Sequence, residues 1–382
     1  MRSVAVVTGT RAEFGILTPI LVEIMRSKDL ELHIIATGMH LSEVHGYTLK
    51  DIERSGFRVD EVVDMSPCDD SEASMAKALG KGIIGVTEAF ERINPDIVLV
   101  LGDRSEAFAG AIAGAYTNRV VVHVHGGEVT KGCIDESIRH AVTKLAHVHF
   151  PATRDGAERI IKLGERRANV HVVGAPALDV ILNVAKSTPE EVAKELGLDL
   201  TKPIILAVQH PVTTQADEAA DQMRVTLAAL VALHEQTVLL YPNNDAGGIR
   251  MIKVIERSNF PPYIRTYPSL PQKQYLGLMA TAAVMVGNSS SGIIEAPSFG
   301  LPFVNIGMRQ EGRLRGDNVI DVPHDRDAIV EAVRKALHDK AFREKVSKRR
   351  NPWGDGKAAK RIVKLLSELE ITEELLQKQI TY

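Results

Sequence analysis

Short β-rich runs, most of them continuous and apolar, alternate with longer amphipathic segments along the first half of the chain. Such runs lack the polar–apolar alternation of a half-solvated sheet and are typical of parallel strands covered by helices on both faces. The predicted strands are Val4–Val7, Leu32–Ala36, Ile97–Leu101, Val120–Val124, His147–Phe150 and Val170–Val173. The predicted helices are Phe14–Ser27, Ser71–Ile93, Ser105–Tyr116 and Ile134–Leu145. This order predicts β-α-β crossovers and a doubly wound α/β sheet.

The second half of the chain repeats this pattern. Its predicted strands are Ile204–Val208, Thr237–Tyr241, Ala283–Val286 and Pro302–Ile306. Its predicted helices are Asp217–His234, Gly292–Ser298 and Arg326–His338. A chain of 382 residues is longer than one hydrophobic core usually serves, so we predict two Rossmann-like domains that face a cleft.

The predicted domains are residues 1–183 and 184–356, with the hinge near Asn183–Ser187. Just after the hinge, Thr188 and Glu191 have the spacing of a capping box, and Pro189 suits a first helical turn. The last stretch, Lys357–Gln379, is predicted as a helix with no strand to follow. We expect residues 357–382 to pack back on the N-terminal domain.

Composition excludes several classes of function. A net charge of -3 gives no general attraction to nucleic acid or anionic membranes, and an aromatic content of 4% leaves little for base stacking. No stretch approaches the roughly 20 apolar residues of a membrane-spanning helix. Cys68 and Cys133 are too few for a disulfide framework or a thiolate metal cluster, which predicts a reducing, cytoplasmic setting.

Three acidic side chains follow the ends of two neighbouring predicted strands. Asp103 follows Ile97–Leu101 after one glycine, and Glu128 and Asp135 come after Val120–Val124. Ligands of open α/β sheets lie outside the carboxyl ends of the strands. Clustered carboxylates repel one another, which raises at least one pKa and allows proton exchange near neutral pH. Alternatively, Asp103 caps the following helix and the other two belong to a solvated helix face.

Two arginines and a glutamate are candidates for ligand contact in the first half. Arg11 lies between the first strand and the first helix, where its planar guanidinium suits phosphate or carboxylate. Glu13 contacts the ligand or is a carboxylate favoured at a helix N-terminus. Arg104, beside Asp103, holds a ligand anion or keeps one carboxylate ionised.

Anion-binding features also follow the strands of the second half. His210 is predicted to contact phosphate or a leaving oxygen, without the spacing of a metal site. Ser289 and Ser290 lie in a Gly/Ser loop that opens a helix, a setting that suits two phosphates, and Glu295 can accept hydrogen bonds from a ribose. Arg313 adds a cation or belongs to a solvated loop. Neither a GxGxxG fingerprint nor a GxxxxGK[ST] loop is present, which disfavours dinucleotide oxidoreductases and P-loop NTPases.

With these residues in view, the chain resembles the UDP-N-acetylglucosamine 2-epimerase family, and within it the hydrolysing branch of sialic acid and legionaminic acid biosynthesis. The resemblance covers nearly the whole length, and its motifs are GTRAEFG at Gly9–Gly15, LGDR at Leu101–Arg104, the segment His125–His147, HPVT at His210–Thr213, GNSSSGIIEA at Gly287–Ala296, RQEGR at Arg309–Arg313 and NPWGDG at Asn351–Gly356. The non-hydrolysing branch typically has an HxEAGLR-like segment where this chain has HGGE. Glu13 and Trp353 stand where Asp and Tyr are frequent.

The resemblance implies a glycosyltransferase-B type fold, with uridine and diphosphate held mainly by the second domain. It implies loss of UDP to give a 2-acetamidoglycal, then water addition to release N-acetylmannosamine. Asp103, Glu128 and Asp135 are assigned to proton transfer and water activation, and His210 to the diphosphate. Arg11, Ser289, Ser290 and Arg313 are assigned to phosphate, and Glu295 to the ribose. The family also implies a homodimer or homotetramer, and its scheme requires no metal or cofactor.

Alternative functions remain open at this stage. A related branch acts on UDP-N,N'-diacetylbacillosamine, and its motifs are similar. A non-hydrolysing epimerase would release a UDP-sugar instead of a free sugar. A glycosyltransferase of the same fold would need an acceptor and has less use for three carboxylates. A non-catalytic nucleotide-sugar sensor would have no need of the three acidic side chains.

Overall fold

The computed structural model describes residues 1–43, 46–69, 71–129, 134–183, 186–243 and 245–382. The chain divides into two compact units. The N-terminal unit contains Met1–Glu128, Ile134–Asn183 and Trp353–Tyr382, and the C-terminal unit is built mainly from Val184–Pro352. The predicted hinge at Asn183–Ser187 and the Thr130–Cys133 part of the long motif include residues outside the described ranges.

Within the described residues, the N-terminal unit contains a parallel sheet of six strands in the order β3-β2-β1-β4-β5-β6. These strands are β1 Arg2–Thr8, β2 Leu30–Thr37, β3 Glu61–Val63, β4 Ile97–Leu101, β5 Val120–Val124 and β6 Val148–Phe150. The strand order reverses direction between β1 and β4. In doubly wound folds this reversal opens a crevice at the carboxyl ends of the two strands.

The C-terminal unit repeats this topology in the part of it that the structure describes, with six parallel strands in the order β12-β11-β10-β7-β8-β9. They are β7 Ile204–Val208, β8 Gln236–Leu240, β9 Ile264–Tyr267, β10 Val284–Gly287, β11 Phe303–Ile306 and β12 Val319–Val322. Here the reversal lies between β7 and β10. The predicted α/β class with two Rossmann-like doubly wound sheets is therefore confirmed.

Helices cover both sheets, which explains the continuous apolar composition of the central strands. The N-terminal unit contains α1 Arg11–Arg26, α2 Leu49–Arg54, α3 Glu72–Ile93, α4 Ser105–Tyr116, α5 Ile134–Leu145, α6 Arg154–Lys162 and α7 Pro176–Asn183. The C-terminal unit contains α8 Pro189–Leu196, α9 Ala219–Leu233, α10 Gly248–Arg257, α11 Gln272–Thr281, α12 Ser291–Ile294, α13 Ala296–Phe299, α14 Arg326–His338 and α15 Lys340–Ser347. The chain then returns to the N-terminal unit with α16 Ala358–Glu368 and α17 Glu373–Leu376.

Sequence reasoning missed three strands, and one predicted strand is wrong. The missed strands β3, β9 and β12 are at sheet edges and include polar residues, so they lack the continuous apolar run of a central strand. The predicted strand Val170–Val173 forms only an isolated bridge between Val170 and His149.

Two predicted helices are interrupted. Gly292–Ser298 is divided into α12 and α13, where Pro297 lies at the start of α13 and has no N–H to continue the ladder of α12. Lys357–Gln379 is also two helices, and the Thr372 side chain caps α17 by accepting a hydrogen bond from Leu375 N. The predicted capping box at Thr188 and Glu191 is confirmed.

The C-terminal segment belongs to the core of the N-terminal unit. Ile362 and Leu366 of α16 are fully buried in the cluster that includes Val4, Leu17 and Ile97. The carboxylate of Asp179, in α7, accepts hydrogen bonds from the first two backbone N–H groups of α16. The N-terminal unit resumes at Trp353, before the predicted boundary at residue 356, and the Trp353 carbonyl accepts a hydrogen bond from Ala175 N at 2.8 Å.

Candidate active site

Arg139 is the centre of the polar cluster at the ends of β4 and β5. Its guanidinium is fully buried and forms an ion pair with Asp103, which follows β4. It also donates hydrogen bonds to the Glu128 carbonyl at 2.9 Å and to the Glu136 carboxylate at 2.6 Å. Arg139 therefore joins the loop after β4, the loop after β5 and the first turn of α5.

The three predicted carboxylates have different environments around Arg139. Asp103 is paired with the guanidinium, and Arg104, not Asp103, occupies the cap position of α4. Glu128 is buried. Asp135 lies in the first turn of α5, on the helix face that it shares with Arg139, since residues four apart are neighbours on a helix. The structure thus brings Asp103 and Glu128 to the guanidinium of Arg139, and Asp135 lies on the same face of α5 as Arg139.

The electrostatics of this cluster favour a permanently charged arginine. Burial alone would lower the pKa of the Arg139 guanidinium, but the charges of Asp103, Glu136 and Glu128 raise it above its usual range. An arginine in this position lets several carboxylates share a confined space without mutual repulsion. Sequence reasoning did not assign a role to Arg139, although its position four residues after Asp135 is the spacing of neighbours on one helix face.

Backbone conformations on both sides of the cluster are fixed by close contacts. His123 Nε2 lies 2.7 Å from the Gly102 carbonyl oxygen and is the donor, because a carbonyl only accepts. Burial lowers the pKa of His123 to about 3, so the ring is neutral. Gly127 has a φ of 75°, and a Cβ there would overlap the Gly156 carbonyl. The residues preceding Asp103 and Glu128 are therefore held in place.

A second group of buried carboxylates lies where β1 and β4 diverge. Glu106 is 2% exposed and lies 3.3 Å from Arg104 Nε, so Arg104 forms an ion pair with Glu106. Glu106 occupies the space that a Cβ of Gly9 would need. Glu13, also buried, accepts a hydrogen bond from Gly9 N at 2.7 Å. Glu13 thus shapes the turn after β1, and its predicted ligand contact stays a prediction.

Arg11 begins α1 at the same crevice. Its guanidinium lies 3.2 Å from the Asp51 carboxylate of α2, and both side chains are partly exposed. Burial lowers its pKa, and the Asp51 charge opposes that change. Its predicted contact with phosphate is not tested by this arrangement.

Glu13→Gln should stabilise the protein by an amount that grows with pH. Burial, with repulsion from Glu106, raises the Glu13 pKa from 4.5 to about 8, so folding takes up a proton between these values. The stability that Glu13 contributes is complete below pH 4.5 and is lost as pH rises through about 8. Gln does not titrate and still accepts the Gly9 N–H bond.

Thermal unfolding at about pH 6 and about pH 9 tests this linkage. The melting temperature of the variant relative to wild type should rise by several degrees between the two, since each pH unit corresponds to at most about 1.4 kcal/mol. Glu23→Gln, the same change near the other end of α1, is the matched control. If the melting temperature of Glu13→Gln differed from that of wild type by the same amount at both pH values, Glu13 would not take up this proton.

In the C-terminal unit, Asn288 joins the two strands at the reversal point. Its side chain accepts a hydrogen bond from His210 N at 2.7 Å and donates one to the His210 carbonyl at 2.9 Å. Its own carbonyl accepts from Gln310 Nε2 at 2.8 Å and from Arg309 at 3.3 Å. Asn288 is fully buried, so it fixes the backbone of His210 and connects it to the loop after β11. Sequence reasoning quoted Asn288 but gave it no role.

The tautomer of His210 follows from one hydrogen bond. His210 Nδ1 lies 3.0 Å from Asn243 N, and a backbone N–H can only donate. In the neutral ring the proton is therefore on Nε2, which makes that atom a hydrogen-bond donor. A donor of this kind suits a phosphate oxygen or a departing diphosphate.

The Gly/Ser loop follows β10 as predicted, but the helix it opens is short. Ser289 is buried, and its hydroxyl lies 3.4 Å from Ser291 N. Because α12 ends at Ile294, the dipole of a long helix is absent in this described segment, and any anion binding depends on local hydroxyl and N–H groups. Burial raises the pKa of Glu295, just after α12, to about 7.

Arg313 is connected to Asn288 through one neighbour. Arg313 Nη1 donates to Gln310 Oε1 at 3.1 Å, and Gln310 donates to the Asn288 carbonyl. The predicted cation and the predicted loop are therefore parts of one hydrogen-bonded network with His210. Among the described residues, no three His, Cys, Asp or Glu side chains are grouped as metal ligands. None of the described helices is long and apolar enough to cross a bilayer.

The proteins that this chain resembles are 2-epimerases of nucleotide sugars, and the matches extend over most or all of the chain. The family model described as UDP-N-acetylglucosamine 2-epimerase matches residues 22–367. The chain is 40% identical over 382 residues to the UDP-N,N'-diacetylbacillosamine 2-epimerase (hydrolyzing) of Legionella pneumophila, covering 100% of both. It is 35% identical over 340 residues to a UDP-N-acetylglucosamine 2-epimerase of Neisseria meningitidis, covering 88% of each.

A solved structure supports the fold in the same way. The crystal structure of a UDP-GlcNAc 2-epimerase from Neisseria meningitidis bound to UDP-GlcNAc superposes with a TM-score of 0.82. The match covers 97% of this chain and 100% of that one at 20% identity. At this identity the likeness establishes the fold and leaves the chemistry to the residues of the site.

Proposed function

The chain belongs to the UDP-N-acetylglucosamine 2-epimerase family, and from that premise we propose that it is a hydrolysing 2-epimerase, which releases UDP and a free 2-acetamido sugar. The observation that supports hydrolysis is the HGGE segment at the end of β5, whose Glu128 is buried beside Arg139 and Asp103. We further propose a cytoplasmic homo-oligomer: the low cysteine content favours the first property, and the family resemblance implies the second.

We place UDP-N,N'-diacetylbacillosamine first among the substrates. The Legionella pneumophila relative, which carries that name, matches this chain from end to end, and a Campylobacter jejuni relative has a similar name. UDP-N-acetylglucosamine, which would yield N-acetylmannosamine, is the second candidate, supported by the shorter match to the Neisseria meningitidis relative. The two sugars share the acetamido group at carbon 2, so the same chemistry serves both.

In the first stage, a carboxylate removes the proton from carbon 2 of the sugar. The C–H electron pair forms the carbon 1–carbon 2 double bond, and the bond from carbon 1 to the diphosphate oxygen breaks. UDP leaves with that electron pair, and a 2-acetamidoglycal remains. Asp103, Glu128 and Asp135 supply the proton-transfer groups, and a positioned base of this kind typically contributes roughly 10²–10⁴-fold in rate.

In the second stage, water adds to carbon 1 while a proton is delivered to carbon 2 on the opposite face. One carboxylate takes a proton from the water, and another gives its proton to carbon 2. Over the two stages the enzyme gains one proton, which passes to solvent or to the departing UDP, and exchange with solvent returns each group to its starting state. Protons must be transferred on both faces of the sugar ring. Three acidic side chains, two on different loops and one on α5, can supply groups to both faces. The product is the free sugar with inverted configuration at carbon 2.

We propose that the C-terminal unit holds the UDP part of the substrate. The proton on His210 Nε2 bonds the diphosphate and stabilises the negative charge that develops on it. Arg313 and Arg11 offset the phosphate charges, Ser289 and Ser290 donate hydrogen bonds to the phosphate oxygens, and Arg104 is a further candidate for anion contact. Glu295 accepts hydrogen bonds from the ribose hydroxyls. This scheme uses guanidinium, hydroxyl and N–H groups and calls for no cofactor.

Proton NMR of the purified protein in D₂O tests the proposal with each UDP-sugar in turn. A free sugar with deuterium at carbon 2, together with UDP, is the expected result. A UDP-sugar with inverted carbon 2 would indicate the non-hydrolysing reaction instead. If neither substrate reacts, the epimerase proposal is wrong and a glycosyltransferase of the same fold takes its place. Relative kcat/KM for the two sugars decides the substrate.

A further inference from the structure

A cluster of charges lies at the far end of α5, away from the proposed proton-transfer groups. Glu165 is 3% exposed and accepts hydrogen bonds from Lys144 Nζ at 2.6 Å, Lys378 Nζ at 2.6 Å and His149 Nε2 at 3.1 Å. Burial alone would raise the Glu165 pKa, but these three partners lower it to about 2. The proposed reaction uses none of these four side chains.

Lys378 also caps the C-terminal end of α5. Besides Glu165, its ammonium donates to the Ala146 carbonyl at 2.7 Å and to the Thr143 carbonyl at 3.1 Å. The last carbonyls of a helix lack partners within the helix, and a cation there is favoured by the helix dipole. The three N–H groups of the ammonium therefore match three acceptors, two of them at the C-terminal end of α5. We call this set of contacts the Lys378 clamp.

The segment that carries Lys378 is attached beside it. Thr381 N donates to the Gly164 carbonyl at 3.2 Å, and Leu375 is buried in the core of the N-terminal unit. Lys144, on α5 itself, donates both to Glu165 and to the Leu163 carbonyl at 3.1 Å. The end of α5 is thus connected to the loop after α6 and to the C-terminal segment at once.

The other half of α5 carries the groups that the proposed function needs. Asp135 lies in its first turn, and Arg139, fully buried, pairs with Asp103. One turn further along α5, the Thr143 hydroxyl donates to the Arg139 carbonyl at 3.0 Å. A helix is stiff over this length, so a shift at its clamped end moves Arg139 and Asp135 relative to the loops after β4 and β5.

We propose that Lys378 is a positioning residue for the reaction: by clamping the C-terminal end of α5 to Glu165, it holds Arg139 and Asp135 in register with Asp103. This inference rests on the proposed function. Lys378 lies at the opposite end of α5 from these groups and acts on the reaction only through the helix.

Lys378→Met in the full chain tests the clamp. We expect kcat to fall by about 10- to 100-fold, since small misplacements of catalytic groups have effects of that size. KM for the UDP-sugar and the Kd for UDP should stay within about twofold, because the C-terminal unit holds UDP and only positioning changes. Lys378→Arg keeps the charge and the donors and should restore most of the activity. Lys364→Met, on the exposed face of α16, is the matched control and should behave as wild type.

Hydrogen exchange of the α5 amides supplies a readout that does not depend on turnover. The amides of α5 should exchange faster in Lys378→Met than in Lys364→Met. A Lys378→Met protein with a lower melting temperature but wild-type kcat below it would overturn the positioning role. If the wild type turns over neither UDP-sugar, the proposed function fails, and α5 exchange still decides for or against the clamp.

Discussion

Asp103→Asn is expected to abolish turnover while UDP still binds. An amide cannot act as a general acid or base near neutral pH, so one of the transfers at carbon 2 or at the attacking water is lost, and kcat should fall by at least about 10³-fold. Glu128→Gln should have a comparable effect for the same reason. UDP should bind both variants with wild-type affinity by calorimetry, since its proposed contacts lie mainly in the other unit.

Glu136→Gln is the control that separates proton transfer from charge. Glu136 and Asp103 both form ion pairs with Arg139, and the Glu136 contact is 2.6 Å. Unlike Asp103, Glu136 is not one of the proposed proton-transfer groups. Its replacement should lower kcat by less than about tenfold, because only the charge around Arg139 changes. Near-normal turnover in both Asp103→Asn and Glu128→Gln would contradict the proton-transfer assignment.

Arg139→Met is expected to cost both stability and activity. Met fills a similar length, but it leaves the Asp103 and Glu136 carboxylates without their cation and the Glu128 carbonyl without this donor. Removing one partner of a buried ion pair typically costs 3–5 kcal/mol, and we expect about 3 kcal/mol because Asp103 is partly exposed. Urea unfolding should show a lower midpoint, and turnover should be lost.

Two further variants serve as references for the loss of stability and activity in Arg139→Met. Arg139→Lys keeps the charge but loses the planar fork that reaches three partners, so it should lie between wild type and Arg139→Met in both measurements. Arg166→Met removes an exposed ion pair with Glu374 and should cost no more than about 1 kcal/mol. An Arg139→Met protein with the wild-type midpoint would show that Arg139 does not hold the cluster together.

The sequence by itself determined the class of fold and the places where ligands are expected. Central parallel strands are buried on both faces, so Ile97–Leu101 and Ile204–Val208 are continuous apolar runs, and Val120–Val124 is interrupted by the buried His123. The bounds of all three strands were predicted correctly. Because such strands end at one edge of the sheet, the positions of Asp103, Glu128 and His210 after strand ends followed directly. The local capping box at Thr188 was also predictable, since it depends on neighbours in sequence.

Only the tertiary structure decided which side chains meet. The ion pair of Arg139 with Asp103, the bonds of Asn288 to His210 and the contact of Lys378 with Glu165 join residues far apart in sequence. No local pattern encodes them, because each partner's position depends on how helices pack on the sheet. Edge strands such as β3 escaped prediction for a related reason: their pairing is fixed by one neighbouring strand and not by an apolar run of their own.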